Sequence, residues 1–398
     1  MRLSTVILSV LLVIAVRSAQ AQSETLLYSF TGGSDGGEPS SYLTADHKGN
    51  FYGTTQDGGL GYGTVFELSP NGGGGWTETV LYSFTGGTDG GSPYYSAVIF
   101  DEAGNLYGTA SSGGEYGSGV VFELSPAGTS WTETVLYSFA GGTGDGANPR
   151  SGLIMGSAGT LYGTTTVGGS NGNGVVFGVV PSGGKWTEQV IYNAGVSGGN
   201  FNGITGGLTI DAADNIFGVT WATVFELSPI GGGGWKSAVI HAFAGAPKDG
   251  GAAYGTPVLD PAGNLYGTTF LGGKNNIGAV YKLSPAKKGK WTKKIVYSFA
   301  YDNTVGNEPY AGVVLDAEGN IYGTTTGGGE FNIYGTVFEL AVPVGKGGYK
   351  AKSLWSFNGS DGSEPADSLT LDSKGNLYGT TWGGGIAFDT GVVFEITP

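Results

Sequence analysis

Carboxylates recur at fixed positions in this sequence, and such groups can bind metal ions or catalyse hydrolysis. One series is an Asp-Gly pair, at Asp35-Gly36, Asp89-Gly90, Asp145-Gly146, Asp249-Gly250 and Asp361-Gly362. Calcium takes oxygen ligands from flexible loops, so a calcium site is one interpretation. The other is a repeated turn in which the aspartate accepts hydrogen bonds from its own backbone. Because each loop offers one acid and no D-x-D-x-D cluster, we favour the turn and assign no metal site or cofactor.

A second acidic series could indicate a hydrolase. It comprises Glu67, Glu123, Glu226, Glu339 and Glu395. A glycosidase needs two carboxyl groups held roughly 5–10 Å apart. Equivalent residues of different repeats lie on different spokes of a ring and do not meet. We therefore interpret these glutamates as hydrogen-bonding or surface-pairing groups along each strand, and we assign no catalytic residue.

The two histidines carry little sign of chemistry. His47 lies between Asp46 and Lys48 in a turn, and His241 stands where other repeats have a strand tyrosine. Neither has a second histidine nearby, as a zinc site would require. The chain also has no G-x-S-x-G nucleophile motif. We interpret His47 as an exposed turn residue and His241 as a strand residue.

Departures from the repeat are the better guide to a site, because local inconsistencies tend to concentrate where a protein functions. Aromatic, basic and polar residues vary in loops that otherwise keep a Gly-Gly pair. Rings and directed polar groups suit sugar or peptide binding, although exposed loops also vary neutrally. The residues that we predict to bind ligand are Tyr62, Tyr116, Arg150, Trp221, Lys274, Phe331, Trp382 and Phe388.

The element that positions these residues is a repeat with a period of about 55 residues. The stretch Asp101 to Thr109, D-E-A-G-N-L-Y-G-T, returns seven times. Its aromatic is found at Tyr52, Tyr107, Tyr162, Phe217, Tyr266, Tyr322 and Tyr378. A fixed period of this length indicates a repeat architecture.

Each repeat contains four short runs with strand composition. In the second repeat they are Ser96 to Phe100, Asn105 to Ala110, Gly119 to Ser125 and Trp131 to Phe139, which we call strands a, b, c and d. Val, Tyr, Phe, Trp and Thr fill them, and Gly, Pro, Asp and Ser bound them. Four antiparallel strands per repeat predict an all-β fold, a seven-bladed β-propeller.

The two ends of the chain indicate how the ring closes. Thr25 to Phe30 reads as a strand d without its own a, b and c, and Gly391 to Pro398 reads as a strand c without a following d. Pairing the two fragments completes the seventh blade and leaves no open sheet edge. The b-to-c and d-to-a loops then share one face, where the predicted ligand-binding residues surround the central channel.

The repeat also resembles a known family. The motifs G-N-L-Y-G-T-T, G-x-V-F-E-L-S-P and W-x-x-x-V-L-Y-S-F are similar to the tandem repeat named for Gloeobacter and Verrucomicrobia, found in exported proteins. The resemblance covers nearly all of the chain after its first residues. It implies an extracytoplasmic location and no established activity.

Composition agrees with export. Arg2, the apolar run Leu8 to Val16 and the sequence Ala19-Gln20-Ala21 predict a signal peptide over residues 1–21, and residues 22–398 then form one propeller domain. No later run is long and apolar enough for a membrane span.

Removing Arg2 and Arg17 with the signal peptide changes the formal charge from -14 to -16. This acidity argues against nucleic acid and anionic membranes as partners. With no cysteine, disulfides are excluded.

These observations predict a secreted, glycine-rich, noncatalytic propeller that binds an extracellular ligand, a glycan or a protein, at the variable-loop face. The alternative is a polysaccharide-active enzyme, a lyase or glycosidase, with its site at the channel mouth. We expect a monomer with no cofactor. The sequence favours binding because it shows no nonrepeating cluster of acid, base and nucleophile.

Overall fold

The structure is a computed structural model that describes residues 22–195, 203–301, 304–343, 345, 347–387 and 389–398. The predicted signal peptide, residues 1–21, lies outside the described residues. Within the described ranges, no helix has the length and apolar character needed to cross a bilayer.

Among the described residues, strands make up nearly all of the regular structure, with one short 3-10 helix at Lys287–Gly289. In chain order the strands are β1 Ser23–Ser29, β2 Gly37–Pro39, β3 Thr44–Ala45, β4 Phe51–Asp57, β5 Thr64–Pro70, β6 Trp76–Ser83, β7 Ile99–Phe100, β8 Leu106–Ala110, β9 Val120–Ala127, β10 Ser130–Ser138, β11 Gly146–Pro149, β12 Ile154–Met155, β13 Leu161–Gly168, β14 Val175–Ser182, β15 Lys185–Asn193, β16 Thr209–Ile210, β17 Ile216–Val219, β18 Thr223–Ile230, β19 Gly234–Ala242, β20 Gly250–Gly251, β21 Val258–Leu259, β22 Leu265–Thr269, β23 Leu271–Gly272, β24 Ala279–Ala286, β25 Lys290–Ser298, β26 Val314–Leu315, β27 Ile321–Thr325, β28 Thr336–Ala341, β29 Lys350–Ser356, β30 Thr370–Leu371, β31 Leu377–Thr381 and β32 Val392–Thr397.

Seven antiparallel sheets, each with strands a to d in order, form the seven predicted blades. Blade 1 is β3 to β6, blade 2 is β7 to β10, and blade 3 is β12 to β15. Blade 4 is β16 to β19, blade 5 is β21, β22, β24 and β25, and blade 6 is β26 to β29. Blade 7 combines β30, β31 and β32 with β1. The seven-bladed β-propeller is therefore confirmed.

The ring closes through the first strand of the described chain. β1 pairs antiparallel with β32, with Leu26 opposite Phe394 and Ser29 opposite Val392. Phe30, just after β1, is fully buried in the blade 7 and blade 1 core. This pairing satisfies the outer edge of β32, as the incomplete ends of the repeat predicted.

Strand a is shorter than the sequence predicted. In blade 2 it spans only Ile99–Phe100, because the residues before it turn toward the ring axis and bond to other partners. The Ser96 hydroxyl oxygen accepts the Thr109 amide at 2.9 Å, and the Ser96 carbonyl accepts the Thr54 hydroxyl of blade 1 at 3.0 Å. The inner end of each blade is thus held by side chains.

The second glycine of the G-N-L-Y-G-T motif, Gly108 in blade 2, is required by the packing around it. A Cβ on Gly108 would lie 2.5 Å from the ring of Phe122, which is fully buried on the neighbouring strand c. The phenylalanine therefore fills the space that the glycine leaves open. Tryptophans of strand d pack across to the preceding blade, and Trp186 lies 6.3 Å from Tyr107 between ring centroids.

Candidate ligand-binding surface

The inner ends of the blades converge on a small cavity at the ring axis. Immediately before the innermost segment, each blade supplies one equivalent residue, and six of the seven line this cavity. We call these six the mouth residues, and they are Tyr95, Arg150, Thr205, Tyr254, Tyr310 and Ala366. They lie on the side of the d-to-a and b-to-c loops, because strand a runs from that side toward the a-to-b hairpin.

Aromatic rings close this end of the channel. Tyr95 of blade 2 and Tyr310 of blade 6 stack across the axis, with centroids 5.7 Å apart and planes at 25°. Tyr254 stacks on Tyr310 at 4.3 Å and 16°. Offset stacking of this kind is favourable for aromatic pairs. The blades on opposite sides of the ring therefore contact each other through tyrosines.

Further rings extend the aromatic surface outward. Tyr94 contacts Tyr95 at 4.3 Å, Trp221 meets Tyr254 edge-on at 5.4 Å, and Phe270 lies 5.9 Å from Tyr254. All of these side chains are partly exposed. We call the set the mouth cluster, and its members are Tyr94, Tyr95, Trp221, Tyr254, Phe270 and Tyr310.

Arg150 brings a positive charge to the mouth cluster. Its guanidinium carbon lies 4.9 Å from the centre of the Tyr94 ring, a distance at which the ring attracts a cation. Arg150 is exposed and can donate several hydrogen bonds to a ligand while it stays over the ring. The mouth thus combines flat apolar surface with one directed cationic group.

The cavity beneath the tyrosines is small and polar. It has a volume of about 50 Å³ and is bordered by Tyr42 and Asp367. An Asp367 carboxyl oxygen accepts the Ser368 amide at 2.6 Å. Burial raises the pKa of Asp367 to about 7, although backbone hydrogen bonds from Ser368 and Tyr42 act in the opposite direction. Space of this size holds water and not a sugar ring.

The structure brings three of the predicted site residues to the axial part of the loop face. Arg150 is one of the mouth residues and Trp221 belongs to the mouth cluster, as described above. Trp382 occupies the equivalent strand b position to Trp221, is 36% exposed, and its indole nitrogen donates to Glu38 at 3.1 Å. A tryptophan held in this way presents its ring to a ligand.

The other predicted residues that the structure describes do not join the mouth cluster. Tyr62 packs on the next d-to-a turn, close to Gly86. Tyr116 borders an outer groove formed with strand d of its own blade. Lys274 and Phe331 are exposed in their b-to-c loops. Phe388 lies outside the described residues.

The Asp-Gly series forms turns, as we favoured. Asp89 accepts hydrogen bonds from the Thr85 amide at 2.8 Å and from the Tyr82 hydroxyl at 3.0 Å. Asp145 accepts the Tyr137 hydroxyl at 3.0 Å in the same way. In the part of the chain that the structure describes, no group of three or more His, Asp or Glu side chains is arranged to hold a metal ion.

The strand c glutamates bond along their own blades, as predicted. Glu67 accepts the Ser69 hydroxyl at 2.9 Å, and Glu339 pairs with Lys352 at 2.8 Å. His47 is exposed in its hairpin. His241 is a strand residue whose Nε2 lies 3.1 Å from Asp249, and burial lowers its pKa more than this carboxylate raises it.

Comparison with known sequences identifies the repeat. Residues 61–223 and 220–398 each match the Gloeobacter/Verrucomicrobia repeat. The chain belongs to this repeat family. No curated protein matches it in sequence.

Solved structures share the fold of this repeat-family chain. A virginiamycin B lyase from Staphylococcus aureus, with selenomethionine, has a TM-score of 0.55 and 13% identity, covering 95% of this chain and 99% of that chain. A catalytically inactive variant of the lyase, with one histidine replaced by alanine and quinupristin present, has a TM-score of 0.55, 14% identity and the same coverage. A Lactobacillus plantarum protein has a TM-score of 0.53 and 12% identity, covering 90% and 98%. At these identities the likeness shows the propeller fold alone.

Most of the mouth cluster was missed by sequence reasoning. Tyr94, Tyr95, Tyr254 and Tyr310 precede strand a, where we examined only the Arg150 departure. A signal was present, because the residue five places before the hairpin aspartate, or before Gly156 in blade 3, is small in every repeat except blade 7, which has Asp367, whereas the residue before it varies. That variable series is Ser40, Tyr95, Arg150, Thr205, Tyr254, Tyr310 and Ala366. Comparing the repeats at this position would have found the mouth.

Proposed function

We propose that this repeat-family propeller is an exported, noncatalytic protein that binds an extracellular glycan across the mouth cluster. The observation that carries the proposal is the partly exposed surface that the aromatic rings of the mouth cluster form at the axis, with Arg150 over the ring of Tyr94. Sugars bind to flat aromatic surfaces by apolar contact, and a few polar groups fix their orientation. The Trp382 and Glu38 pair supplies another ring and an acceptor on the same face.

The arrangement of acids favours binding over the polysaccharide-active alternative. A glycosidase needs two carboxyl groups on either side of the scissile bond. On the mouth face Glu38 accepts the Trp382 indole, whereas Asp367 lies in the cavity below the tyrosines, so these two acids lie on different sides of the rings. The similar lyase loses activity when one histidine is replaced. In this chain His47 lies in an a-to-b hairpin on the opposite face, and His241 is engaged with Asp249 on an outer strand. Neither histidine of this chain therefore lies at the mouth.

A glycan array on the purified protein, followed by calorimetry on the best glycan, tests the proposal. We expect Arg150→Ala and Trp221→Ala each to weaken binding about tenfold or more, because each removes a side chain at the mouth. Tyr116→Ala is the matched aromatic control, since Tyr116 borders the outer groove, and we expect it to bind as the unmodified protein does.

Three results would contradict the proposal. They are binding that both mouth variants retain, an array with no glycan bound while a protein ligand binds at the same face, and release of cleaved products from a polysaccharide. The last would establish the enzyme alternative.

A further inference from the structure

Four glutamates on the outer strands point into the junctions between blades. They occupy one repeat position of strand d and are Glu24, Glu78, Glu133 and Glu188. The strand c residue opposite each of them is fully buried and apolar, in the same order Ile396, Leu68, Leu124 and Val179. Opposite residues of an antiparallel pair share a face of the sheet. Each carboxyl group is therefore directed at the preceding blade.

Each of these glutamates has one carboxyl oxygen that is shielded from solvent and has no hydrogen-bond partner among the described residues. A buried polar atom without a partner is costly. Burial, together with repulsion from the aspartate of the preceding d-to-a turn, raises the pKa of each glutamate to about 7. The aspartates, in the order of the glutamates, are Asp361, Asp35, Asp89 and Asp145.

At the Glu133 junction, the turn aspartate Asp89 is the partner that stays ionised. Asp89 accepts the Thr85 amide, the Thr85 hydroxyl and the Tyr82 hydroxyl. Burial opposes ionisation, but these hydrogen bonds outweigh it and lower the pKa of Asp89. A proton at this junction therefore resides on Glu133.

At a fifth junction, a lysine occupies the strand d position that holds glutamate in the other four. In blade 5 the strand d residue is Lys293, opposite the buried Leu283. Its ammonium nitrogen lies 3.0 Å from the turn carboxylate of Asp249, which also contacts His241 where other blades have tyrosine. A positive group at this strand position thus pairs directly with the turn aspartate.

We propose that at the four glutamate junctions the glutamate carries a proton beside the turn aspartate, in place of the lysine charge, so that the ring is more stable in mildly acidic than in mildly alkaline solution. The titratable groups that face each glutamate are the turn aspartate and, in three junctions, the strand d tyrosine of the preceding blade. The groups are Asp35 and Tyr28 for Glu78, Asp89 and Tyr82 for Glu133, Asp145 and Tyr137 for Glu188, and Asp361 for Glu24.

The sign of the effect follows from linkage. The pKa of each glutamate is about 7 in the folded chain, above the value near 4.3 of an unfolded glutamate. The stabilisation is fully present below the unfolded pKa and is lost as the pH rises through the folded pKa. Stability therefore falls between about pH 4.5 and pH 8.

The test compares melting temperatures at pH 5 and pH 8 for the full chain and for the quadruple variant E24Q/E78Q/E133Q/E188Q. Glutamine mimics the protonated acid, so we expect the quadruple variant to lose most of the fall in Tm that the unmodified protein shows, a fall of about 4 °C or more. Asp367 titrates in the same range, but it is present in both proteins and cancels. E67Q/E123Q, on strand c, is the matched control and should keep the fall.

Two further measurements keep the proposal testable if the quadruple variant does not fold. Glu78→Lys reproduces the Lys293 and Asp249 pair against Asp35, so we expect it to raise Tm at pH 8. In the unmodified protein, carbon NMR of labelled glutamate should show four carboxyl groups that titrate within about one unit of pH 7.

Three outcomes would overturn the proposal. They are glutamate carboxyl groups that all titrate below pH 5, a quadruple variant with the full pH dependence, and a Tm at pH 8 that falls on chelation of calcium in the unmodified protein alone. The last result would place a metal ion, and not a proton, between the carboxylates.

Discussion

In six of the seven blades, one threonine of strand b joins the blade to the next. In blade 2, the Thr109 hydroxyl donates to the Ser151 carbonyl of blade 3 at 3.1 Å and also contacts the Ser96 hydroxyl at 3.0 Å. Thr109 is fully buried, so no water can replace it. Blade 4 has Val219 at this position, and there Thr205 donates to the Ala253 carbonyl at 2.6 Å instead. The junction between blades 4 and 5 therefore keeps a hydrogen bond, although its donor comes from a different position of the repeat.

We predict that Thr109→Val lowers the free energy of unfolding by about 1–3 kcal/mol, because the buried Ser151 carbonyl loses its partner while the volume is unchanged. Thr77→Val, on the exposed side of an outer strand, is the matched control and should change stability by less than about 0.5 kcal/mol. Urea denaturation measures both. A Thr109 variant as stable as the control would show that the inter-blade bond contributes nothing.

At the scale of the element, the a-to-b hairpin is fixed by its first residue. Asp101 accepts the amides of Ala103 and Asn105, both at 2.9 Å, and the Tyr107 hydroxyl at 3.1 Å. Gly104 has φ of +87°, which glycine adopts without strain. Burial opposes ionisation of Asp101, but the hydrogen bonds prevail and lower its pKa.

Asp101→Ala should lower the free energy of unfolding by about 1–2 kcal/mol at pH 7, since charge-assisted hydrogen bonds to the turn are lost. Because the folded pKa is depressed, this contribution is present above the unfolded pKa near 3.9 and is lost as the pH falls through the folded value. The two proteins should therefore converge in stability near pH 2. Glu102→Ala, at the exposed next position, is the control, and an equal loss in both variants would refute the role of Asp101.

At the scale of the molecule, seven blades form one closed ring only because the two chain ends meet. β1 supplies the outer strand of blade 7, and its Leu27 and the following Phe30 are buried in the core shared with blade 1. Without this strand, β32 would expose its backbone edge, which is a template for pairing with another chain.

Deleting residues 22–30 should lower Tm by about 10 °C or more and cause association, because an apolar strand and its ladder of hydrogen bonds are removed together. Calorimetry and light scattering measure the two effects. A peptide with the sequence Ser23 to Phe30 should restore Tm, and a scrambled peptide should not. A truncated protein that stays monomeric with an unchanged Tm would contradict closure by β1.

The sequence by itself determined the blades. The period of about 55 residues, the strand composition and the incomplete ends predicted seven four-stranded sheets and their closure. It also predicted the Asp-Gly turns and the hydrogen bonds of Glu67. These features depend on residues close in sequence or on a regular repeat, and both can be inferred from residue type and spacing.

Only the tertiary structure decided which side chains of different blades come close to each other. Tyr95 and Tyr310 stack across the axis, and the charge of Asp89 in the preceding turn acts on Glu133, although neither interaction follows from position within a repeat. It also separated Tyr116 from Arg150, two residues that the sequence had placed around one mouth. The physical reason is that the radius of the ring and the angle between blades arise from the packing of all seven cores together. Those two quantities set which side chains of distant repeats come into contact.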